Sequence, residues 1–121
     1  DYKRVNKVDR VELIGDVDGK TAVIVDDMID TGGSMVSAIR ELYKKGVKRV
    51  YVLAAHALLN GDAMENFQEL YEEGKIKYVA STDTVIRNER PAWLREVPVA
   101  DLFARAIHNM NMDLSVSELY E

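Results

Sequence analysis

Residues 22–34 read AVIVDDMIDTGGS, from Ala22 to Ser34. Four apolar residues run into two adjacent carboxylates, Asp26 and Asp27. A third, Asp30, opens a run of Thr31, Gly32, Gly33 and Ser34. Thr21–Val25 has the β-branched apolar pattern of a buried strand. Beyond the loop, Met35, Val36, Ile39, Leu42 and Tyr43 fall at helical spacing, and Gly46 suits the left-handed position that ends a helix. Strand, small-residue loop and helix together make the first unit of an α/β fold.

The same alternation extends outward. Val11–Ile14 alternates apolar with polar and predicts a short edge strand; residues 15–20 are a Gly/Asp turn. Val47–Ala55 contains a second β-rich run. Asp62-Ala-Met-Glu65 matches a capping box, ahead of a stripe at Met64, Phe67, Leu70 and Tyr71 that Gly74 stops. Ile76–Ala80 reads as a third strand, with Ser81-Thr-Asp-Thr84 at its end. Pro91 and Pro98 punctuate a loop and a short strand around Val97–Val99. Ala100–His108 is a helix with Leu102, Phe103, Ala106 and Ile107 as its apolar face. Ser115-Val-Ser-Glu118 is a second capping box, opening a last helical turn. The order strand, helix, strand, helix, strand, strand, helix predicts an α/β parallel sheet flanked by helices on both faces.

At 121 residues and 47% hydrophobic content, the chain fits a single domain, residues 1–121, with one core. It has no cysteine, which excludes disulfides, thiolate metal sites and a cysteine nucleophile, and is compatible with a cytoplasmic location. The net charge of −5 and the lack of a dense basic run argue against nucleic acid as a partner. Lys44, Lys45, Lys48 and Arg49 are broken by Gly46 and Val47 and read as a solvated helix end and turn. No apolar run approaches the roughly 20 residues that span a bilayer, so no membrane is expected. The chain starts Asp-Tyr-Lys-Arg, without a signal peptide and without Met, which suggests a fragment of a longer protein.

In an open α/β sheet, ligands bind beyond the carboxyl ends of the strands. Three polar constellations fall there: Asp26–Ser34, His56–Gly61 and Ser81–Thr84. Gly32 and Gly33 let backbone amides turn inward together at a helix start, a site for phosphate, with Thr31 and Ser34 adding hydroxyls. The Gly-Lys-Ser/Thr ending of a Walker loop is missing, and the glycine spacing does not fit a dinucleotide fingerprint. Carboxylates beside a phosphate cradle accept hydrogen bonds from hydroxyls or hold magnesium. The combination points to a sugar phosphate. The bland alternative is a helix capped by Asp30 or Thr31, which leaves Asp26 and Asp27 without a role.

These residues carry a resemblance. AVIVDDMIDTGGS is similar at each position to the phosphoribosyl pyrophosphate (PRPP) loop of type I phosphoribosyltransferases and ribose-phosphate pyrophosphokinases. The rest resembles the pyrophosphokinases. AHALLNGDA is similar to their Thr-His-Pro-x-x-Ser-Gly-x-Ala segment and TDTV to their Thr-Asn/Asp-Thr-Ile. ARAIHN and SVSELY resemble their C-terminal tail. The likeness runs from about Val8 to the end. It implies a phosphoribosyltransferase-like fold and the reaction of ribose 5-phosphate with magnesium-ATP to give PRPP and AMP. It implies that Asp30, Thr31, Gly32, Gly33 and Ser34 hold the 5-phosphate, Ser34 standing where the family usually has Thr. Asp26 and Asp27 are implied to bind the ribose hydroxyls, with Mg2+ as a candidate ion there. With a short alignment gap, Lys3 and Arg4 correspond to the catalytic-loop Lys and Arg; without it that Lys falls before residue 1, and Lys3 and Arg4 are a solvated basic end. Ser115, Val116, Ser117 and Tyr120 match a tail that contributes to an allosteric phosphate or ADP site, the alternative being a plain helix cap.

The resemblance covers most of the second of two domains. It implies that the N-terminal domain and most of the ATP site lie outside these residues, and that whole members form hexamers built from dimers. The expectation is weak binding of phosphate or ribose 5-phosphate and no turnover by these 121 residues alone. Competing readings are a nucleobase phosphoribosyltransferase, for which no base-binding hood is visible, a non-catalytic regulatory homologue, and an isolated or engineered subdomain. His56 reads as a hydrogen-bonded residue or site wall, with no proton transfer assigned. His108 reads as surface or packing, Met35, Met64 and Met110 as core or helix residues, and Trp93 as a packing anchor.

Overall fold

The structure, a computed structural model, describes residues 14–120. It contains β1 (Thr21–Ile29), α1 (Gly33–Lys44), β2 (Arg49–Ala57), α2 (Ala63–Glu72), β3 (Val79–Thr82), β4 (Leu94–Val97), α3 (Ala100–Asn111) and a 3-10 turn (Ser117–Tyr120). The element order is the expected one. Lys3, Arg4 and nearly all of the edge strand expected at Val11–Ile14 lie outside the described residues. Ile14 itself is in no strand.

The four strands form one parallel sheet in the order β1-β2-β3-β4. β1 pairs with β2 from Thr21↔Arg49 to Ile29↔Ala57. β1 therefore extends four residues beyond the apolar run that ends at Val25. The pairing runs past Asp26 to Met28 and Ile29, and Ile29 closes it, nearly inaccessible against the core. β3 and β4 also shift from their expected bounds. β3 starts only where Val79 meets Val52, and β4 is Leu94–Val97 because Leu94 pairs with Val79.

Val50, Val52 and Ala54 point to one side of β2, where they share a core with Ile39 and Leu42 of α1 and Phe67 and Leu70 of α2. The opposite face carries Val23, Val25 and Leu53, which are 56%, 73% and 40% exposed. The parallel sheet flanked by helices is as expected, but among the described residues the core-forming helices share one face. The strand order explains this. Strands laid down sequentially in one direction, with right-handed crossovers, put successive helices on the same side. α3 buries none of its residues; Phe103 and Ile107 of its apolar face are exposed.

Local details also depart from the sequence pattern. Asp62 makes no side-chain cap bond to α2, since its backbone sits in turn geometry and its carbonyl receives the Asn66 amide at 2.9 Å. The Ser115 hydroxyl pairs with that of Ser117 at 2.9 Å, and the last turn is 3-10, with Leu119 N–H donating to the Val116 carbonyl at 3.1 Å. Gly46 does terminate α1, at φ 89°. A Cβ there would meet the Asp18 carboxylate, a flexible side-chain end, so it is the left-handed backbone that calls for glycine. Arg40 ties α1 to α2 through Glu73 at 3.0 Å and Glu69 at 3.6 Å.

Candidate functional site: a cavity at the start of helix 1

The site is built where β1 hands over to α1. Gly32 is the residue before the helix, at φ 73° and ψ 4°, and no side chain caps the helix there. The first helical bond is donated by the Val36 amide to the Gly32 carbonyl at 2.9 Å. The amides of Gly33, Ser34 and Met35 precede that bond and have no intrahelical acceptor. They border a cavity of about 210 Å³ that Asp26, Met28 and residues 29–35 line. Free amides and the helix dipole both favour an anion at that end. Neither Asp30 nor Thr31 caps the helix, so the bland capping reading is not what the chain adopts.

Asp30 instead turns away to Asn60. The Asn60 side-chain amide donates to Asp30 Oδ1 at 2.8 Å, and the Asn60 backbone N–H donates to the Asp30 carbonyl at 2.9 Å. The amides of Leu58 and Leu59 both donate to the Ile29 carbonyl, at 2.8 and 3.2 Å. The β2–α2 loop thus laces onto the β1–α1 loop. Leu59 takes a left-handed φ of 57° to do so, and its side chain is buried. Gly32 is packed from below: a Cβ on it would lie 2.7 Å from Phe67 Cε2. Phe67 in turn stacks on the fully buried Trp93, with ring centroids 5.6 Å apart. Trp93 Nε1–H donates to Gln68 Oε1 at 2.9 Å, as a packing anchor should.

The third expected constellation joins the second. His56 Nδ1 lies 2.6 Å from Thr84 Oγ1, Thr84 Oγ1 lies 2.9 Å from Thr82 Oγ1, and Thr82 Oγ1 donates to the Ala55 carbonyl at 2.5 Å. All three segments therefore meet at the carboxyl end of the sheet, as the topology of an open α/β fold requires.

The two adjacent acids are not equivalent. Asp26 lines the cavity, and Asp27 does not; the Asp27 amide donates to Asp26 Oδ1 at 2.8 Å. Magnesium demands six oxygens in near-octahedral array and commonly takes one or two from carboxylates, the rest from water and phosphate. Among the described residues no cluster of three or more His, Cys, Asp or Glu is arranged to hold a metal. Asp26, a carboxylate on the cavity, could supply a single ligand to such an ion. Ser115, Val116, Ser117 and Tyr120 lie past α3, and Tyr120 is 77% exposed. Asn109 fixes that tail by donating to the Ser115 carbonyl at 2.7 Å.

Asn60 falls inside the His56–Gly61 constellation, but its particular role was not legible. Its neighbour Gly61 marks a turn, but nothing in the sequence says that the turn closes on Asp30. One carboxyl is strongly perturbed, away from the cavity. Hydrogen bonds from Lys75 and Arg40 lower the Glu73 pKa from the ordinary 4.5 to about 2.

The first strand of a parallel α/β sheet delivers acids and an uncapped glycine turn to a helix start, and the superposition on a phosphoribosylpyrophosphate synthetase makes the fold phosphoribosyltransferase-like. More narrowly, the chain belongs to the phosphoribosyl synthetase-associated domain family, whose family model matches residues 3–121. It is 39% identical over 117 residues to the ribose-phosphate pyrophosphokinase of Gloeobacter violaceus, covering 95% of this chain and 34% of that one. It is 37% identical over 116 residues to the ribose-phosphate pyrophosphokinase of Aquifex aeolicus, covering 95% of this chain and 36% of that one. The crystal structure of phosphoribosylpyrophosphate synthetase from Mycobacterium smegmatis superposes with a TM-score of 0.75 at 31% identity, over 83% of this chain and 33% of that one. The chain spans about a third of the length of these relatives. Among the described residues, no helix is long and apolar enough to cross a membrane.

Proposed function

We propose that this chain is the sugar-phosphate half of a ribose-phosphate pyrophosphokinase. The whole protein would convert ribose 5-phosphate and magnesium-ATP to PRPP and AMP. The observation that carries this reading is the uncapped start of α1, with three acceptor-free amides facing a cavity that Asp26 also lines. Amide donors for an anion and a carboxylate acceptor for a hydroxyl on one cavity support a sugar phosphate as the ligand.

In this reading the amides of Gly33 and Ser34, with the hydroxyls of Thr31 and Ser34, hold the 5-phosphate. Asp30 is kept out of that ring of donors by Asn60, so the loop stays open to an anion. Asp26 accepts a ribose hydroxyl; Asp27 steadies Asp26 through its amide and has a lesser part than its neighbour. Magnesium, when it accompanies the nucleotide, supplies charge neutralisation to the phosphates. In the transfer, the anomeric oxygen bonds to the β-phosphorus as the bond to the α–β bridging oxygen breaks. AMP leaves and the hydroxyl proton is released. Lys3 and Arg4 are proposed as the cations at the transferring phosphates.

The ATP-binding part, the two-domain organisation, assembly into hexamers built from dimers, the cytoplasmic setting and an allosteric phosphate site at Ser115–Ser117 and Tyr120 belong to the same proposal for the whole protein. They rest on the resemblance of the sequence to the pyrophosphokinase family. Isothermal titration of the 121-residue chain with ribose 5-phosphate tests the central claim. Weak saturable binding, competed by inorganic phosphate and lost on Gly33→Asp, is expected. No binding, with or without magnesium, favours an interaction homologue. Base-dependent pyrophosphate release by the whole protein favours a nucleobase phosphoribosyltransferase. ATP turnover to AMP by this chain alone, dependent on ribose 5-phosphate, would refute the division into halves.

A further inference from the structure

The hydrogens in the His56–Thr84–Thr82 chain can be counted. The Ala55 carbonyl can only accept, so the Thr82 hydroxyl hydrogen is committed to it. The bond between Thr82 and Thr84 must then be donated by Thr84. With its single hydrogen spent, Thr84 can only accept from His56, so His56 Nδ1 carries a hydrogen. A neutral imidazole protonated at Nδ1 has an unprotonated Nε2. No partner for that nitrogen is found among the described residues, and His56 is exposed.

The place of this lone pair matters. His56 stands opposite Met28 in the β1–β2 ladder, and Met28 lines the cavity at the start of α1. Ala55 and Thr82, the far end of the relay, line a second cavity of about 380 Å³ with Val25, Leu53 and Val97. Asp26 borders both cavities. His56 itself lines neither cavity; it is one strand across from Met28. Only a ligand anchored at α1 that extends beyond Met28 and Asp26 reaches it, and acceptors at that rim favour hydroxyls over a second anionic group.

We propose that His56 is a specificity-determining residue: the Thr84–Thr82–Ala55 relay locks it as the Nδ1–H tautomer, and its Nε2 accepts a hydrogen bond from a sugar hydroxyl of the bound phosphate ester. This rests on the sugar-phosphate reading, but the tautomer does not. The test therefore has two arms on the 121-residue chain. Long-range nitrogen–proton NMR of the 15N-labelled chain resolves its two histidines, with His56→Gln giving the assignment. The Nδ1–H pattern is expected for the parent and for Thr84→Ser, and a change to Nε2–H for Thr84→Val, which lacks the acceptor. An Nε2–H pattern in the parent overturns the proposal.

The second arm titrates inorganic phosphate and ribose 5-phosphate into the parent, His56→Ala and Thr84→Val. Losing one acceptor of a substrate hydroxyl should weaken ribose 5-phosphate about tenfold, with inorganic phosphate unchanged. Thr84→Val keeps the ring but presents a donor, and should weaken ribose 5-phosphate by a similar factor. Equal losses for both ligands mean that His56 acts only through the loop's structure, and overturn the acceptor role. If the parent binds phosphate but not ribose 5-phosphate, the sugar-phosphate reading fails and takes the acceptor role with it, whereas the NMR arm still decides the tautomer.

Discussion

Asn60 holds Asp30 at two points, by its side-chain amide at 2.8 Å and by its backbone amide at 2.9 Å. The first contact ties the Asp30 carboxylate to the β2–α2 loop, so that Asp30 lines the cavity without capping α1. Asn60→Ala severs that contact and leaves the backbone clasp. The expected loss in stability is about 1 kcal/mol, as for one ordinary hydrogen bond at an exposed position. Phosphate affinity should fall further than stability, because Asp30 is freed to compete for the amides. Urea midpoints and phosphate titration measure the two; an unchanged phosphate affinity means that Asp30 does not compete.

The two loop glycines should fail in different ways. Gly32→Ala puts a methyl into a left-handed residue, 2.7 Å from Phe67 Cε2. Backbone strain alone costs about 1–2 kcal/mol, and the clash adds to it. Gly33 has nothing within 4 Å of a Cβ, and it lines the cavity. Gly33→Ala should leave thermal stability nearly unchanged and weaken phosphate binding. Equal destabilisation of both variants runs against this division.

Trp93 is fully buried and is the chain's single tryptophan. Trp93→Ala removes the Phe67 stack and leaves Gln68 without its donor. A cost of about 3–5 kcal/mol is expected, a large part of a small domain's stability. Denaturant melts followed by far-UV circular dichroism read it. Trp93→Phe should recover much of the loss by keeping the ring contact.

Glu73 sets an acid dependence. Its folded pKa, about 2 against an ordinary 4.5, is depressed by Lys75 and then Arg40. A carboxyl with a depressed folded value contributes stability that is present above the unfolded value and lost as pH falls through the folded one. Glu73→Gln should therefore be less stable than the parent near neutrality. The gap should close between pH about 4.5 and about 2. A gap independent of pH means that the ion pairs with Arg40 and Lys75 contribute nothing; salt should also narrow it.

The alternation of apolar runs with turn residues made the element order and the parallel sheet readable. The glycine pair after an acid made the turn at the start of α1 readable. Periodicity misplaced the end of β1, because a strand tolerates Asp26 and Asp27 where Ile29 still seals it. The capping boxes at Asp62 and Ser115 failed because a side chain caps only if its backbone takes an extended approach, and a turn before α2 gives Asp62 the wrong one. The burial of helices on one face depends on strand order, which no local pattern encodes. Asn60 with Asp30 and His56 with Thr84 are contacts 30 and 28 residues apart in sequence. Such pairs exist only once the strand ends are brought together.

The stack beneath Gly32 gives the molecule an optical reporter of its own. Loop backbone rests on Phe67, and Phe67 rests on Trp93, so the indole lies two contacts from the amides that face the cavity. Anything that tightens or spreads the Thr31–Ser34 turn presses on that column. The intrinsic emission of one residue can thus follow occupancy at the start of α1, without a label and without touching the site.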